Sequence, residues 1–160
     1  MIRIGKMTDY GIVLLSHFVR DPERTVLTAR DLSAVSHLPL PTVSKLLKSL
    51  SRRELLVSQR GVKGGYRLAR LPEQISVSEI IGALEGPIGM TECSGELTHS
   101  GNCELESFCP VKSHWRKISD TIRFALGHLT LLDMTQPLPA YDSARRTPVL
   151  APSLAQRNFP

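Results

Sequence analysis

The segment between residues 40 and 69 constrains the fold of this 160-residue chain most strongly. Pro41 suits the first turn of a helix, where its missing amide hydrogen is not needed. Apolar residues then recur with i, i+3, i+4, i+7 spacing, at Val43, Leu46, Leu47 and Leu50. Strand-like runs follow at residues 55–60 and 66–69, separated by the glycine-rich residues 61–65. The pattern predicts a helix buried along one stripe and, directly after it, an antiparallel β-hairpin.

Two helices are predicted ahead of this segment. The first covers about residues 8–19 and ends at Asp21-Pro22, because a residue before proline disfavours the helical conformation. The second begins near Thr28, where Thr28 and Asp31 form the pattern of a capping box, and it stops before His37. Two short helices joined by a tight turn are typical of a helix-turn-helix. Any amphipathic helical hairpin would show a similar pattern.

The β-hairpin favours the helix-turn-helix. Its glycine-rich turn permits positive φ and close backbone approach, and basic residues flank it. We therefore interpret the hairpin as a wing beside a recognition helix that reads DNA in the major groove, while the wing adds contacts to phosphates or to the minor groove. The candidate contacts are Thr42, Ser44, Lys45, Lys48 and Ser49 on the helix, and Arg60, Lys63, Gly64, Gly65 and Arg67 on the wing.

The distribution of charge agrees with this interpretation. Residues 1–70 hold 13 Lys and Arg against 5 Asp and Glu, whereas the remaining 90 residues hold 7 against 10. A basic N-terminal half suits a polyanion such as DNA, because Lys and Arg displace the counterions condensed on phosphates. A solvated basic surface is the alternative that charge alone leaves open.

The C-terminal half contains a capping pattern, a cysteine segment and a long amphipathic helix. Ser76 and Glu79 open a short helix over about residues 77–84, which Gly86-Pro87 closes. A helix is predicted from Pro110 onward, with a heptad seam over three heptads at Val111, Trp115, Ile118, Ile122, Ala125, Leu129 and Leu132. Such a seam needs a partner; a second copy of the chain is favoured over packing onto its own domain.

The expected organisation is therefore a DNA-binding domain over residues 1–86, a cysteine loop over 87–109, a dimerisation helix over 110–134 and a flexible tail over 135–160. The fold class is mainly α with a small β-hairpin wing. No run approaches the roughly 18–20 apolar residues of a membrane-spanning helix, and we expect a cytoplasmic protein without a membrane partner. No catalytic triad, paired-carboxylate motif or nucleotide-cofactor fingerprint is present, so we do not expect an enzyme.

The 3 cysteines, Cys93, Cys103 and Cys109, lie within 17 residues. This odd, closely spaced set does not suit a secreted disulfide framework, and thiolates are soft ligands for zinc, copper(I) or an iron–sulfur cluster. Three thiolates leave a tetrahedral site one ligand short, and His99, His114, an acidic residue or a dimer partner could supply the fourth. A zinc site and three free thiols remain the alternatives from spacing alone.

The chain resembles the Rrf2 family of bacterial regulators over about residues 1–134. The resemblance is carried by the opening residues 1–11, by residues 38–50, by the wing at residues 60–69, by residues 75–81 and by three cysteines ahead of a long helix. In detail the chain looks closest to the branch associated with regulating the SUF operon of iron–sulfur cluster assembly.

The resemblance implies a homodimer that binds a double-stranded operator and holds an iron–sulfur cluster on Cys93, Cys103 and Cys109. The cluster would be [2Fe-2S] or [4Fe-4S], with the former slightly favoured. In some members a histidine three positions after the last cysteine completes the site, but that position is Lys112 here. In others an acidic residue near the N-terminus of the partner subunit is the fourth ligand, and Asp9 stands at the matching place.

The patterns predict a DNA-binding transcriptional regulator, a repressor in the favoured version. The resemblance implies that it senses cluster supply, nitric oxide or oxidants and controls cluster-assembly genes. The main alternative is a winged-helix regulator that uses the cysteines for zinc or for thiol chemistry. An iron–sulfur electron-transfer protein is a third interpretation, but such a protein would need neither the wing nor the basic N-terminal half.

Overall fold

A computed structural model defines the structure of residues 3–21, 26–61, 63–94, 103 and 107–137. Within these ranges the chain is mainly helical with a two-stranded antiparallel hairpin, as the sequence predicts. The elements in chain order are α1 (Lys6–Arg20), α2 (Ala29–Ser36), α3 (Leu40–Arg52), β1 (Leu56–Gln59), β2 (Gly65–Leu68), α4 (Val77–Leu84) and α5 (Lys112–Gly127).

Local side-chain contacts fix the beginning and end of α2. The Thr28 hydroxyl accepts the Asp31 backbone N–H at 3.1 Å, and the Asp31 carboxylate accepts the Thr28 backbone N–H at 3.0 Å. This capping box satisfies donors that have no partner in the first turn of a helix. His37 takes the left-handed conformation, with φ of 57°, and ends the helix there. The prediction for α2 is therefore confirmed at both ends.

The core lies where α3 crosses α1 and α2. The predicted α3 stripe is confirmed, because Val43, Leu46, Leu47 and Leu50 are each at most 1% exposed. They pack with Leu14, Leu15, Leu32, Leu55, Leu56, Ile75, Ile80 and Leu131. Full burial of one such side chain is worth about 1.5–3 kcal/mol, so the stripe fixes how α3 is rotated and which of its residues face outward.

The hairpin is tied to the helical domain by a third backbone segment. Leu56 pairs with Leu68 and Gln59 with Gly65 in the antiparallel register. Leu27, just ahead of α2, forms an isolated bridge with Tyr66 through two backbone hydrogen bonds of 2.9 Å each. The wing is therefore held at a fixed place relative to the helix-turn-helix.

The C-terminal helix is shorter than the seam predicts. It ends at Gly127, so Leu129 and Leu132 lie outside it and the third predicted heptad is wrong. The Leu129 carbonyl accepts the Val77 backbone N–H at 2.8 Å, and the Leu131 backbone N–H donates to the Ile75 carbonyl at 2.8 Å. The chain thus returns to the core in an extended conformation, with Leu131 fully buried.

The Thr130 and Asp133 side chains explain this ending. The Thr130 hydroxyl accepts the Asp133 backbone N–H at 3.1 Å, and the Asp133 carboxylate accepts the Thr130 backbone N–H at 2.9 Å. The same reciprocal pair of hydrogen bonds joins Thr28 and Asp31 at the start of α2, and here it leads into the short turn Asp133–Thr135. The predicted tail beyond residue 137 lies outside the described residues. Within the described ranges, no helix is long and apolar enough to cross a membrane.

Candidate nucleic-acid interface and cysteine segment

The outer side of α3 carries the predicted recognition residues. Lys45 and Lys48 are exposed on the side opposite the buried stripe, and Thr42 and Ser44 are half-buried at its two edges. The ammonium groups suit phosphates, and the two hydroxyls suit base edges as donors or acceptors. This face of α3 is therefore able to contact a duplex without disturbing the core.

Ser49 belongs to a different contact. Its hydroxyl donates to the carbonyl of Ala83 in α4 at 3.2 Å. The Ser49 hydroxyl therefore joins α3 to α4, a contact that the helical period alone does not show. Contact of Ser49 with DNA stays a prediction.

The basic side chains of the wing are presented to solvent. Arg60, Lys63 and Arg67 are all exposed. Arg52 and Arg53, where α3 ends, are exposed as well and extend the positive surface from the recognition helix toward the hairpin. Sequence reasoning did not select this arginine pair, although two adjacent basic residues ahead of a strand are visible in the sequence.

The glycines of the wing serve the fold of the hairpin itself. Gly61 has a φ of +113° and open space around it. A Cβ atom at Gly64 would lie 2.5 Å from the Gln59 carbonyl oxygen, and one at Gly65 would lie 2.8 Å from that of Leu27. The close approach at Gly64 and Gly65 is therefore to the protein's own backbone, and contact of these two glycines with DNA stays a prediction.

The cysteine segment lies between α4 and α5. Cys93 is on the short turn Glu92–Ser94, and Cys109 comes three residues before α5 begins. Cys93, Cys103 and Cys109 are free and half-buried. Three thiols on one segment are a donor set that suits soft metals and iron–sulfur clusters.

The described residues do not assemble these donors into one site. No three His, Cys, Asp or Glu side chains among them come together in a way that could hold a metal ion. Asp9 is exposed on the first turn of α1, and His114 is exposed on α5. His99 lies outside the described residues. The three thiols thus suit a metal or cluster bound by thiolates. The described residues of one chain do not bring the donor side chains together around one site.

One side of α5 is apolar and open to solvent. Val111, Trp115 and Ile118, which the helical period places on one side, are 47%, 37% and 43% exposed. All three belong to the first two predicted heptads of the seam. Water contact with large apolar side chains is unfavourable, and several of them exposed on one side of a helix are typical of an interaction face.

Comparison with known proteins decides the family. Residues 4–137 match the Rrf2 family, described as iron-dependent transcriptional regulators. The chain belongs to the Rrf2 family. It is a DNA-binding transcriptional regulator, and no catalytic family is indicated.

Individual relatives agree with this assignment. The transcriptional regulator IscR of Cronobacter sakazakii is 26% identical over 145 residues, which cover 91% of this chain and 87% of IscR. The solved structure of T. potens IscR has a TM-score of 0.61 and 25% identity, with 88% and 95% of the two chains covered. CymR, the global cysteine regulator of B. subtilis, has a TM-score of 0.64 at 24% identity, covering 84% and 97%, and supports the winged-helix fold alone.

Proposed function

We propose that this Rrf2 protein is a cytoplasmic homodimeric repressor whose affinity for its operator depends on an iron–sulfur cluster, and that it controls genes of cluster assembly. The observation that carries the DNA-binding part is the exposure of basic side chains on both α3 and the wing. Exposed lysines of α3 and exposed basic residues of the wing share a rigid core, which holds them in a fixed mutual arrangement.

The two parts of this surface have different tasks. In the proposal, Thr42, Ser44, Lys45 and Lys48 enter the major groove, where base pairs present distinct donor and acceptor patterns. Arg60, Lys63 and Arg67 contact phosphates, which strengthens binding without reading sequence. Ser49 stays a predicted contact, although its hydroxyl is engaged with Ala83.

The dimer of the proposal forms through the apolar face of α5. A second copy that presents the same face would cover Trp115 and Ile118 in a two-fold symmetric contact. The two winged helix-turn-helix domains of the dimer would then bind a palindromic operator, with half-sites on the same side of the duplex.

The cluster of the proposal is held by Cys93, Cys103 and Cys109, with Asp9 of the second subunit as the fourth ligand. The donor set, the iron dependence in the family description and the similarity to IscR support it. A bound cluster would supply a group whose gain, loss or oxidation changes with iron and oxidant levels. In the proposal, [2Fe-2S] is favoured over [4Fe-4S].

A second candidate keeps the DNA function but uses the cysteines for zinc or for reversible thiol chemistry. The separation of the ligands in the described part of one chain favours it. A colourless, iron-free protein whose operator affinity responds to zinc or to thiol oxidants would select this candidate over the cluster.

The DNA-binding surface is tested by charge reversal. Selection from genomic fragments gives an operator, and fluorescence anisotropy then measures affinity against salt concentration. Lys45→Glu should weaken operator binding by about tenfold or more, since a base contact is worth about 1–3 kcal/mol. Lys63→Gln should reduce the salt slope by about 0.9, the loss of one phosphate contact.

Lys117→Glu is the matched control, because Lys117 is an exposed lysine of α5 and belongs to neither α3 nor the wing. It should retain the operator affinity of the unmodified protein. Equal losses in Lys45→Glu and Lys117→Glu would show a nonspecific effect of net charge and reject the proposed interface.

A further inference from the structure

The turn that carries Cys93 is docked on the middle of α5 through buried hydroxyl groups. Ser94 is 4% exposed and Ser119 is 0% exposed, and their hydroxyl oxygens lie 3.0 Å apart. Met90 donates its backbone N–H to Ser119 Oγ at 3.0 Å, and Thr91 donates its own to Ser94 Oγ at 2.9 Å. Because these polar groups are buried and paired, removing one of them leaves its partners without a hydrogen bond.

The hydrogen-bond network of Ser94 and Ser119 continues through Thr91 to Cys93. The Ser94 hydroxyl donates to the Thr91 carbonyl at 2.9 Å. The Ser94 oxygen has two lone pairs, which accept the Thr91 backbone N–H and the Ser119 hydroxyl. The Thr91 hydroxyl lies 3.0 Å from Ser94 Oγ and 3.4 Å from Cys93 Sγ. The Thr91 hydroxyl therefore connects the buried Ser94 to the sulfur of Cys93.

We infer that Ser94 and Ser119 are positioning residues for Cys93. They hold its turn against α5 and keep the Thr91 hydroxyl within hydrogen-bonding distance of its sulfur. Residues that hydrogen-bond to a metal-ligating side chain control both its orientation and the electron density of its donor atom. The inference rests on the proposed function only in that Cys93 binds a metal or cluster, because the network itself involves this chain's own residues alone.

The position of Ser119 also links the cysteine to the apolar face of α5. Ser119 follows Ile118 directly in the sequence, and Ile118 is exposed on the face proposed for dimer contact. A displacement of the Cys93 turn therefore acts on the same helical turn that carries the proposed interface. This contact gives a direct structural route from the cysteine segment to the arrangement of two subunits.

The test uses the reduced, metal-free full-length protein, so that it does not depend on a bound group. Hydrogen exchange followed by mass spectrometry measures protection of residues 88–94, and alkylation by N-ethylmaleimide measures the reactivity of each cysteine separately. The variants are Ser119→Ala and Ser94→Ala. Thr121→Val is the control, because Thr121 is exposed on α5 and its hydroxyl donates only to the Lys117 carbonyl of the same helix.

In both serine variants, exchange of residues 88–94 and alkylation of Cys93 should be at least about threefold faster, because each change removes more than one hydrogen bond of the network. Alkylation of Cys109 and all rates of Thr121→Val should stay at the values of the unmodified protein. Equal acceleration at Cys93 and Cys109 would indicate general loosening and overturn the positioning role, as would unchanged rates at Cys93. Absence of iron in the unmodified protein, with the Cys93 effect intact, would reject the cluster and leave this inference standing.

Discussion

At the scale of the residue, short side chains decide where elements begin and end. Glu79 is an example, because its carboxylate accepts the Ser76 backbone N–H at 2.9 Å and an Arg70 N–H at 2.8 Å. Partial burial alone would raise the pKa of Glu79, but the hydrogen bonds from Ser76 and Arg70 outweigh burial and lower it. The folded protein therefore favours the ionised carboxylate at the start of α4.

The lowered pKa of Glu79 predicts a pH-dependent contribution to stability. The contribution is present above the pKa of an unfolded glutamate, about 4.3, and is lost as the pH falls through the lower pKa of the folded state. Glu79→Gln should reduce the free energy of unfolding at pH 7 by less than about 1 kcal/mol, because the pair is exposed. Urea unfolding at pH 7 and at pH 3.5 measures the change.

The difference between Glu79→Gln and the unmodified protein should shrink at the lower pH, whereas Glu73→Gln, at an exposed glutamate of the preceding turn, should have little effect at either pH. A difference of the same size at both values of pH would contradict the role assigned to the ionised carboxylate.

Gly65 in the wing and Gly82 in α4 allow the same substitution, glycine to alanine, to be compared at a crowded and at an open position. A methyl group at Gly65 would crowd the Leu27 carbonyl and Val26, whereas one at Gly82, inside α4, meets nothing within 4 Å. Gly65→Ala should destabilise the protein by about 1–3 kcal/mol through overpacking. Gly82→Ala should stabilise it by about 0.5–1 kcal/mol through helix propensity. Thermal unfolding of both variants measures these changes in stability. An unchanged stability of Gly65→Ala would contradict the close approach described for the wing.

At the scale of the element, sequence periodicity predicted the helices wherever their ends are set locally. The capping patterns at Thr28 and Ser76 fix α2 and α4, and the apolar stripe fixes the buried side of α3. The end of α5 was missed because the spacing of apolar residues continues to Leu132 even though the helix stops at Gly127. Thr130 and Asp133 repeat the capping pattern of α2 and could have revealed the stop.

The site was predictable to a smaller extent, for a physical reason. The basic residues of α3 and the wing are local features of amphipathic elements. The contact of Ser49 with Ala83 and that of Ser94 with Ser119 join residues far apart in the sequence. No local pattern encodes such contacts, because they depend on how the elements pack.

The extended segment after α5 places Leu131 in the core of the subunit, and mutation tests this assignment against a place in the dimer interface. Leu131 is fully buried beside Ile75, and Leu131→Ala should lower the free energy of unfolding by about 2–5 kcal/mol. Leu129→Ala, at a half-buried neighbour, should cost less. Urea unfolding provides both values. If Leu131→Ala lowered dimer affinity and left the unfolding free energy of the subunit unchanged, the assignment of Leu131 to the core would be wrong.

At the scale of the whole molecule, the proposal requires two copies of the chain. Ile118→Glu places a charge at the centre of the apolar face of α5 and should weaken dimerisation by about tenfold or more, since a buried unpaired charge is costly. Sedimentation analysis measures the association, and circular dichroism should show an intact fold. Arg116→Glu, at an exposed polar position of the same helix, is the control. A dimer that withstands Ile118→Glu would place the interface elsewhere.

The proposed iron–sulfur cluster on the three cysteines can be observed directly. The measurement is an anaerobic ultraviolet–visible spectrum, with iron and sulfide assays, on the purified protein and on a Cys93→Ala, Cys103→Ala, Cys109→Ala triple variant. We expect visible absorption with iron and sulfide in the unmodified protein and their loss in the variant. A colourless protein that takes up neither iron nor sulfide under anaerobic reconstitution would contradict the proposed cluster and leave a winged-helix regulator that uses its thiols or zinc.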